Sequence, residues 1–290
     1  MSTYTRVLVG QATTQTVTLY ADGTVTDLGT LTYGITDATG ATVVAAGSSV
    51  TDAGNGTYTY TLAKQTAPKF LIVALAVGSG PDFEDYIEVV GSELFNEAQL
   101  RAFDDGAISD TTTYTDALIA QARDRVTDFL EQQTGRSWIR RYARVELSGS
   151  GGPSLYLSEG QCRTSVGLPL DRSGRSRDVI RLLTVDGSAP SSVEVTASGT
   201  LLKTDGYWTR WSQGDPFNVT VEYEYGLPYP IDGVDRIAMK IARNQLVANR
   251  IPGNAVGYSN DLGSFQFDPS RLDREAWEWI KSHRAHAPFG

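Results

Sequence analysis

The sequence has very little of three things on which many functions depend: cysteine, histidine and long apolar runs. Cys162 is the single cysteine, which excludes an intrachain disulfide and suits folding in a reducing compartment. The two histidines, His283 and His286, lie within the last eight residues, whereas a zinc site needs three or four ligands. The apolar run Phe70–Val77 is too short to span a bilayer. We therefore expect no metal site, no cofactor and no membrane partner.

A surplus of basic residues is also missing. The net charge at pH 7 is −9, with three basic and eight acidic residues before Ser92, and 22 basic and 26 acidic residues in the remainder. Proteins that hold DNA by releasing its counterions need clustered lysine and arginine, and neither part of this chain has them in excess. An acidic balance instead favours solubility, or a surface past which DNA slides without sticking.

The usual catalytic signatures do not occur. The sequence contains no GxSxG, no phosphate-binding GxxxxGK[ST] and no GxGxxG placed after a predicted strand. Asp104 and Asp105 are adjacent carboxylates, but they precede Gly106, a pattern that more simply ends a helix. We therefore predict that the protein is not an enzyme.

The N-terminal part alternates apolar and polar side chains with a period of two, which predicts strands with one buried face. Tyr58, Tyr60 and Leu62 alternate in this way with threonines, and Phe70–Val77, apolar on both faces, predicts a central strand. Roughly six or seven strands with glycine-rich turns predict an all-β sandwich over residues 1–91, immunoglobulin-like in outline. The phrases GITDATGATVV and GNGTYTYTL resemble the Ig-like modules of phage structural proteins.

The middle of the chain predicts one long amphipathic helix. Apolar residues recur every three or four positions through TYTDALIAQARDRVTDFLEQQTGRSW. Thr113 is the expected N-cap, and Gly135 is expected to take the left-handed conformation that ends the helix. Because one apolar stripe needs later segments to cover it, we expect Phe129 to be buried against a helix at 234–250.

Helical patterns are expected over about 93–135, 232–250 and 269–283, and a β-rich insertion over 140–226. The fold class is therefore α+β, with an N-terminal all-β Ig-like sandwich followed by a small helical core that carries the insertion. A boundary at Gly91–Ser92 separates residues 1–91 from residues 92–290, and it predicts that the sandwich folds alone and is dispensable for assembly.

Four segments occur in a characteristic order: ALIAQARDRVTDFLEQQTGRSW, VIRLLTVDG, VTVEYEYGLPYPIDGVDRIAMKIARNQLVANR and LGSFQFDPSRLDREAWEWI. This set, which spans about residues 92–289, resembles the head-to-tail connector (adaptor) proteins of long-tailed bacteriophages. The resemblance implies a helical connector core with a β-rich insertion and no active site. It also implies a ring, usually a dodecamer, under the capsid portal, through which DNA passes. The chain departs from the family by its N-terminal sandwich and its large β block.

The resemblance further implies a virion protein of the head–tail junction, made in the cytoplasm of the bacterial host. Its expected partners are other copies of itself, the portal protein and a neck or stopper protein on the tail side, with DNA in the lumen that is not bound sequence-specifically. Rings form through heterologous contacts, which aromatic and arginine side chains commonly anchor. The candidate portal or subunit interface residues are Trp277, Trp279, Ile280, Phe289, Trp138, Arg136, Arg140 and Arg141.

The positions of these candidates in the sequence suggest the kind of contact that each would make. Trp277 falls on a different side of the last predicted helix from Ile280, so one side of that helix should meet another chain. Arg136, Arg140 and Arg141 form a basic cluster that suits ion pairs between subunits, or phosphate contacts.

Two alternatives stay open. Trp208 and Trp211 flank a Thr-Arg pair, an arrangement that resembles a sugar-stacking surface and would suit a tail or baseplate carbohydrate-binding module. Packing of both indoles on a sheet face is the simpler interpretation. A hydrolase with an unrecognised site is the third hypothesis.

Overall fold

The structure of the chain is a computed structural model. It describes residues 4–21, 24–25, 30–77, 80–135, 137–156, 181–189, 191–195, 200–208, 219–230, 233–248 and 272–284. Over these residues the fold is mixed α+β, with most of the ordered structure in sheets. The predicted fold class is confirmed at that level.

The N-terminal part contains ten strands. They are β1 (Tyr4–Leu8), β2 (Thr13–Thr18), β3 (Tyr20–Ala21), β4 (Thr24–Val25), β5 (Leu31–Asp37), β6 (Thr42–Ser49), β7 (Thr51–Gly54), β8 (Thr57–Leu62), β9 (Lys69–Val77) and β10 (Gly80–Val90). One sheet has the order β1-β10-β9-β5-β6, a second has the order β2-β8-β7, and β3 pairs with β4. β1 runs parallel to β10, while the other pairs are antiparallel.

The period-two pattern places one face of each main strand in a shared core. Tyr58, Tyr60 and Leu62 of β8 are buried, and they belong to the same hydrophobic cluster as Ile35 and Val73 of the five-stranded sheet. The predicted central strand is confirmed, since β9 lies between β10 and β5. The two larger sheets therefore share one apolar interior, as two layers must when each has a single apolar face.

The helical part contains four α-helices among the described residues. They are α1 (Glu97–Ala102), α2 (Asp116–Thr134), α3 (Val234–Ala248) and α4 (Arg274–Ser282), with a 3₁₀ turn at Asp104–Gly106 between the first two. Their apolar sides meet in one core, which also takes in Val90, Leu94 and Phe95 from the end of β10 and the segment after it. The burial predicted for Phe129 is confirmed, because it lies in this core with only 7% of its surface exposed.

Two of the predicted helix starts were wrong. The N-cap of α2 is Thr115, whose hydroxyl accepts from the Leu118 amide at 3.3 Å, and not Thr113. The Thr113 hydroxyl instead donates to Asp110 in the preceding turn. α4 begins at Arg274, where the Asp273 side chain caps the helix, so the predicted start at 269 was also too early.

The β-rich insertion lies between α2 and α3. Its strands are β11 (Arg141–Leu147), β12 (Ser154–Tyr156), β13 (Arg181–Val185), β14 (Val193–Val195), β15 (Thr200–Lys203) and β16 (Val219–Tyr225). They form two antiparallel sheets with the orders β11-β16-β13 and β12-β15-β14. A third hydrophobic cluster, which includes Leu147, Leu201 and Val221, joins these sheets.

The C-terminus of α2 provides a first testable prediction. Gly135 has φ +67° and donates its amide to the Glu131 carbonyl at 2.8 Å, the left-handed cap predicted from the sequence. A Cβ at such a position meets the backbone, so Gly135→Ala should lower the free energy of unfolding by about 1–2 kcal/mol. The measurement is urea denaturation followed by circular dichroism.

The matched control is Gly206→Ala. Gly206 is exposed, and an added Cβ would meet no atom within 4 Å, so that variant should unfold like the parent protein. Equal stability of the Gly135 variant and the control would contradict the capping role.

Candidate functional site

The most heavily charged part of the described structure lies where the N-terminal sheets meet α2. Arg6 of β1 is the first member, and its side chain is 3% exposed. Its Nε donates to Glu88 Oε2 of β10 at 2.8 Å, its Nη1 donates to the Asp124 carbonyl at 3.1 Å, and its Nη2 pairs with the Asp128 carboxylate. One arginine of the first strand thus binds both the last strand of its own sheet and the central helix.

Arg141 of β11 approaches the same carboxylates from the other side. Its Nη2 lies 3.1 Å from Glu131 Oε2 and 3.3 Å from Asp128 Oδ1, and its Nε lies 3.5 Å from Glu88 Oε1. We call Arg6, Glu88, Asp128, Glu131 and Arg141 the junction cluster. It connects β1, β10, α2 and β11, and hence the three hydrophobic cores seen among the described residues.

Burial alters the ionisation of this cluster. Burial would lower the pKa of Arg6, but Glu88, Asp128 and Asp124 outweigh it and raise that pKa, so the guanidinium stays charged. Burial raises the pKa of the Glu131 carboxyl, although Arg141 and Arg6 oppose that rise. The Glu131 carboxylate also accepts from the Ser137 hydroxyl at 2.9 Å, which ties it to the loop after α2.

A second charged group lies further along the same face of α2. Arg123 is 7% exposed at its side chain, and its Nη1 lies 3.0 Å from Glu93 Oε2 and 3.1 Å from Glu97 Oε1. Its Nε lies 3.5 Å from Asp124 Oδ1. We call these four residues the linker cluster, because Glu93 belongs to the segment between β10 and α1. Three carboxylates there share one guanidinium.

The excess of carboxylates perturbs the linker cluster. Burial, with the nearby Glu97 and Asp124 carboxylates, raises the pKa of Glu93 to about 7, although Arg123 acts in the opposite direction. Burial also raises the pKa of Asp124, against the effect of Arg6 and Arg123. Raised carboxyl pKa values in a cleft often mark functional sites, although structural ion-pair networks produce them too.

A cleft opens beside this cluster. It has a volume of about 470 Å³ and lies between the end of β1 and the segment after β10. Its lining includes Arg6, Gln11, Glu93, Arg123 and Tyr229. Tyr229 is 64% exposed, which places its ring at the mouth of the cleft in contact with water.

The aromatic interface candidates lie elsewhere, around the helical core. Trp138 and Ile280 have no exposed surface, so the prediction that they anchor a contact with another chain was wrong for both. The Trp138 ring lies 5.2 Å from that of Trp279 and 6.0 Å from that of His283, and its indole N–H donates to Thr134 Oγ1 at 2.8 Å. These side chains hold α4 against the end of α2.

Trp277 and Trp279 are partly buried on the two sides of α4. Trp277 packs edge-on against Phe129, with ring centroids 6.3 Å apart, and both tryptophans contact the helical core. α2 and the segment after it thus cover part of each indole, and the contact of this helix with another chain stays a prediction. Phe289 lies outside the described residues.

The basic cluster after α2 is used within the chain. Arg140 donates from Nε to Glu224 Oε2 at 2.9 Å, and the Glu224 side chain is 3% exposed. Arg141 belongs to the junction cluster, and Arg136 lies outside the described residues. Carboxylates of the same chain thus pair with both Arg140 and Arg141, while their role in contacts between subunits stays a prediction.

Trp208 does not form a sugar-stacking surface. It is 3% exposed, its indole N–H donates to the Pro153 carbonyl at 3.1 Å, and Lys203 Nζ lies 5.5 Å from its ring centroid. The simpler expectation of packing against a sheet holds for this residue. Trp211 lies outside the described residues.

Within the described ranges no group of three or more His, Cys, Asp or Glu side chains is arranged to hold a metal ion. The His283 ring stacks on the Trp279 ring with their centroids 4.1 Å apart, while His286 and Cys162 lie outside those ranges. In the same part of the chain, no helix has the length and apolar character needed to cross a membrane.

Comparison with family models, with curated proteins and with solved structures gives no match for this chain.

Sequence reasoning missed the junction and linker clusters. A signal was present, because Arg6 precedes the apolar pair Val7–Leu8, Glu88 lies between Ile87 and Val89, and Arg6 is one of three basic residues before Ser92. A charge in that setting calls for a partner. The partners lie 82 to 122 positions away along the chain, so local patterns could not identify them.

Proposed function

We propose that the protein is a structural virion component that forms an oligomeric ring between the capsid portal and the tail and gives DNA a conduit. The observation that carries the proposal is the order of elements around one core. A capped α2 ends at Gly135, a β-rich insertion follows, and α3 and α4 return to pack beside α2. The connector resemblance implies this arrangement of a helical core with a β-rich insertion.

We further propose that the N-terminal sheets form an Ig-like sandwich carried by the ring. Two sheets with a shared core support this, as does the likeness of their sequence to Ig-like modules of phage structural proteins. In this proposal the protein is non-enzymatic and resides at the head–tail junction. Its partners are other copies of itself, in a ring of about twelve by family resemblance, the portal protein, a tail-side neck or stopper protein, and DNA in the lumen.

The described surface suggests how such a ring would be held. The large hydrophobic side chains exposed in the described residues are Val25, Tyr207 and Tyr229, three residues from separate segments of the sequence. Contacts between subunits through this part of the chain would therefore be largely polar. A polar contact suits a protein that joins an assembly from a soluble monomer, because a soluble monomer cannot expose a large apolar face.

The carbohydrate-binding alternative needs two exposed indoles, and one of them, that of Trp208, is buried. Labelling of virus particles separates the two functions. Particles of the virus that encodes this chain are incubated with an antibody raised against it and imaged by negative-stain electron microscopy. We expect the label at the neck, between the head and the tail.

Particles treated with a non-immune antibody are the control. Label at the tail tip or baseplate would refute the connector proposal and favour the carbohydrate-binding module. Absence of the chain from the particles, checked by mass spectrometry, would refute both.

A further inference from the structure

The boundary between the N-terminal sheets and α2 contains more carboxylates than guanidinium groups. The junction and linker clusters together hold three arginines, Arg6, Arg123 and Arg141, and six carboxylates, Glu88, Glu93, Glu97, Asp124, Asp128 and Glu131. Fully ionised, these nine groups would carry a net charge of −3, and the side chains of Glu88, Glu93 and Glu131 are only 8–14% exposed. Such a setting disfavours the charged form of a carboxyl group.

Among these carboxylates, Glu93 is placed to control the boundary. Its side chain is 14% exposed and faces the cleft, which gives protons and water a route to it. It follows Gly91, whose amide donates to the Arg140 carbonyl at 2.7 Å, and Ser92, whose hydroxyl donates to the Leu227 carbonyl at 2.8 Å and accepts from the Arg140 amide at 2.9 Å. Movement of Glu93 would therefore be transmitted to the hydrogen bonds that close the boundary.

We propose that this boundary is a proton-operated latch, in which proton uptake at Glu93 tightens the packing of the N-terminal sheets on α2 and proton loss loosens it. The latch goes beyond the connector proposal and does not depend on it, because all its parts lie within one chain.

The sign of the effect follows from the groups around Glu93. Arg123 and Asp124 face it from α2, Glu97 faces it from α1, and Arg6 of β1 lines the same cleft. With the boundary closed, its pKa is raised to about 7, chiefly by burial and then by Glu97 and Asp124. With the boundary open to water, the carboxyl has its ordinary, lower pKa. The closed form thus binds more protons, and this contribution to its stability is lost as the pH rises through about 7.

The expected size of the pH effect on the closed-to-open ratio follows from proton linkage. For a carboxyl with a pKa of about 7 in the closed form and the ordinary value in the open form, the closed-to-open ratio should rise about tenfold from pH 8 to pH 6. An ordinary ion pair is weakened by acid, whereas this pH dependence makes the closed form more stable in acid. Mild acid would therefore close the latch.

Hydrogen–deuterium exchange of the full-length protein tests the latch directly. Peptides that contain the amides of Gly91 and Arg140 are followed at pH 8 and pH 6, and the rates are corrected for intrinsic chemical exchange. We expect protection of these amides to increase about tenfold at pH 6. Glu93→Gln, which mimics the protonated acid, should show that higher protection at both pH values.

The matched control is Glu278→Gln. Glu278 is 61% exposed and pairs with Arg274 on α4, outside both clusters, so this variant should retain the pH dependence of the parent. Equal protection at pH 8 and pH 6 in the parent, lower protection at pH 6, or an unchanged tenfold effect in Glu93→Gln would each overturn the latch. An NMR titration of the Glu93 side-chain carbon in the parent gives a test without substitution. A midpoint near 7 supports the latch, and a midpoint near that of a free glutamate overturns it.

Discussion

Replacing Trp138 with alanine should lower the free energy of unfolding by about 3–5 kcal/mol, as expected for removal of a large side chain from a packed core. Trp138 has no exposed surface and packs against Trp279 of α4 and against His283, which caps the C-terminus of that helix. Its loss would leave a cavity between the end of α2 and α4, and Thr134 would lose the indole N–H as a hydrogen-bond donor. Urea denaturation followed by circular dichroism measures the change.

Two comparison variants sharpen this test. Trp138→Phe keeps an aromatic ring but removes the buried N–H, so we expect a smaller loss, of about 1–3 kcal/mol. Tyr229→Ala removes an exposed aromatic side chain and should change the stability by less than about 0.5 kcal/mol. A loss below about 1 kcal/mol for Trp138→Ala would mean that the segment after α2 is not part of the helical core.

Replacing Arg6 with methionine should cost a similar amount, about 3–5 kcal/mol, because it removes one partner from a buried ion-pair network. Glu88, 8% exposed, would lose the guanidinium that lies 2.8 Å from its Oε2, and the Asp124 carbonyl would lose a donor. Methionine keeps the approximate length of the arginine stem, so the change tests the charge more than the packing.

A double-mutant cycle with Glu88→Met separates the pair from the rest of the network. Removing both charges should restore part of the stability lost in Arg6→Met, because the unpaired buried carboxylate is no longer present. The measurement is again urea denaturation at pH 7.5. A loss of less than about 1 kcal/mol for Arg6→Met would show that the N-terminal sheets do not depend on the junction cluster.

This second experiment also bears on the domain boundary. The prediction that residues 1–91 fold alone and are dispensable stays a prediction. The structure nevertheless shows that Val90, Leu94 and Phe95 enter the helical core across the expected boundary and that Arg6 is bound to α2. A deletion that ends at residue 90 would remove Arg6 and Glu88 from the junction cluster. Asp128 and Glu131 would then retain Arg141 as a cation but would lose Arg6.

Local patterns in the sequence predicted the elements well where those elements depend on neighbouring residues. The apolar stripe of α2 and its Gly135 cap are encoded within a few positions of one another, and both are observed. The N-cap was placed two residues early, because Thr113 and Thr115 suit the role equally and the competing bond from Thr113 to Asp110 is a matter of three-dimensional geometry.

Pairings between distant segments could not be predicted in the same way. Alternation identified strands such as β8, but it contains no information on which strands pair, and so it gave no sign of the parallel pairing of β1 with β10. The aromatic residues of α4 illustrate the same limit. A helical wheel shows in which direction Trp277 and Trp279 point, but not that Phe129 and Trp138 lie there to cover them.

The parallel pairing of β1 with β10 also has a consequence for synthesis on the ribosome. The carbonyl of Asp124 that receives the Arg6 side chain lies 118 positions further along the chain. At elongation rates of about 5–20 residues per second, roughly 6–24 s pass between the translation of these two residues. The nascent β1 segment, with its apolar Val7 and Leu8, lacks its neighbouring strand until β10 has been translated and lacks its helix until α2 has been translated. The emerging chain therefore presents the β1 segment to chaperones before these partners exist.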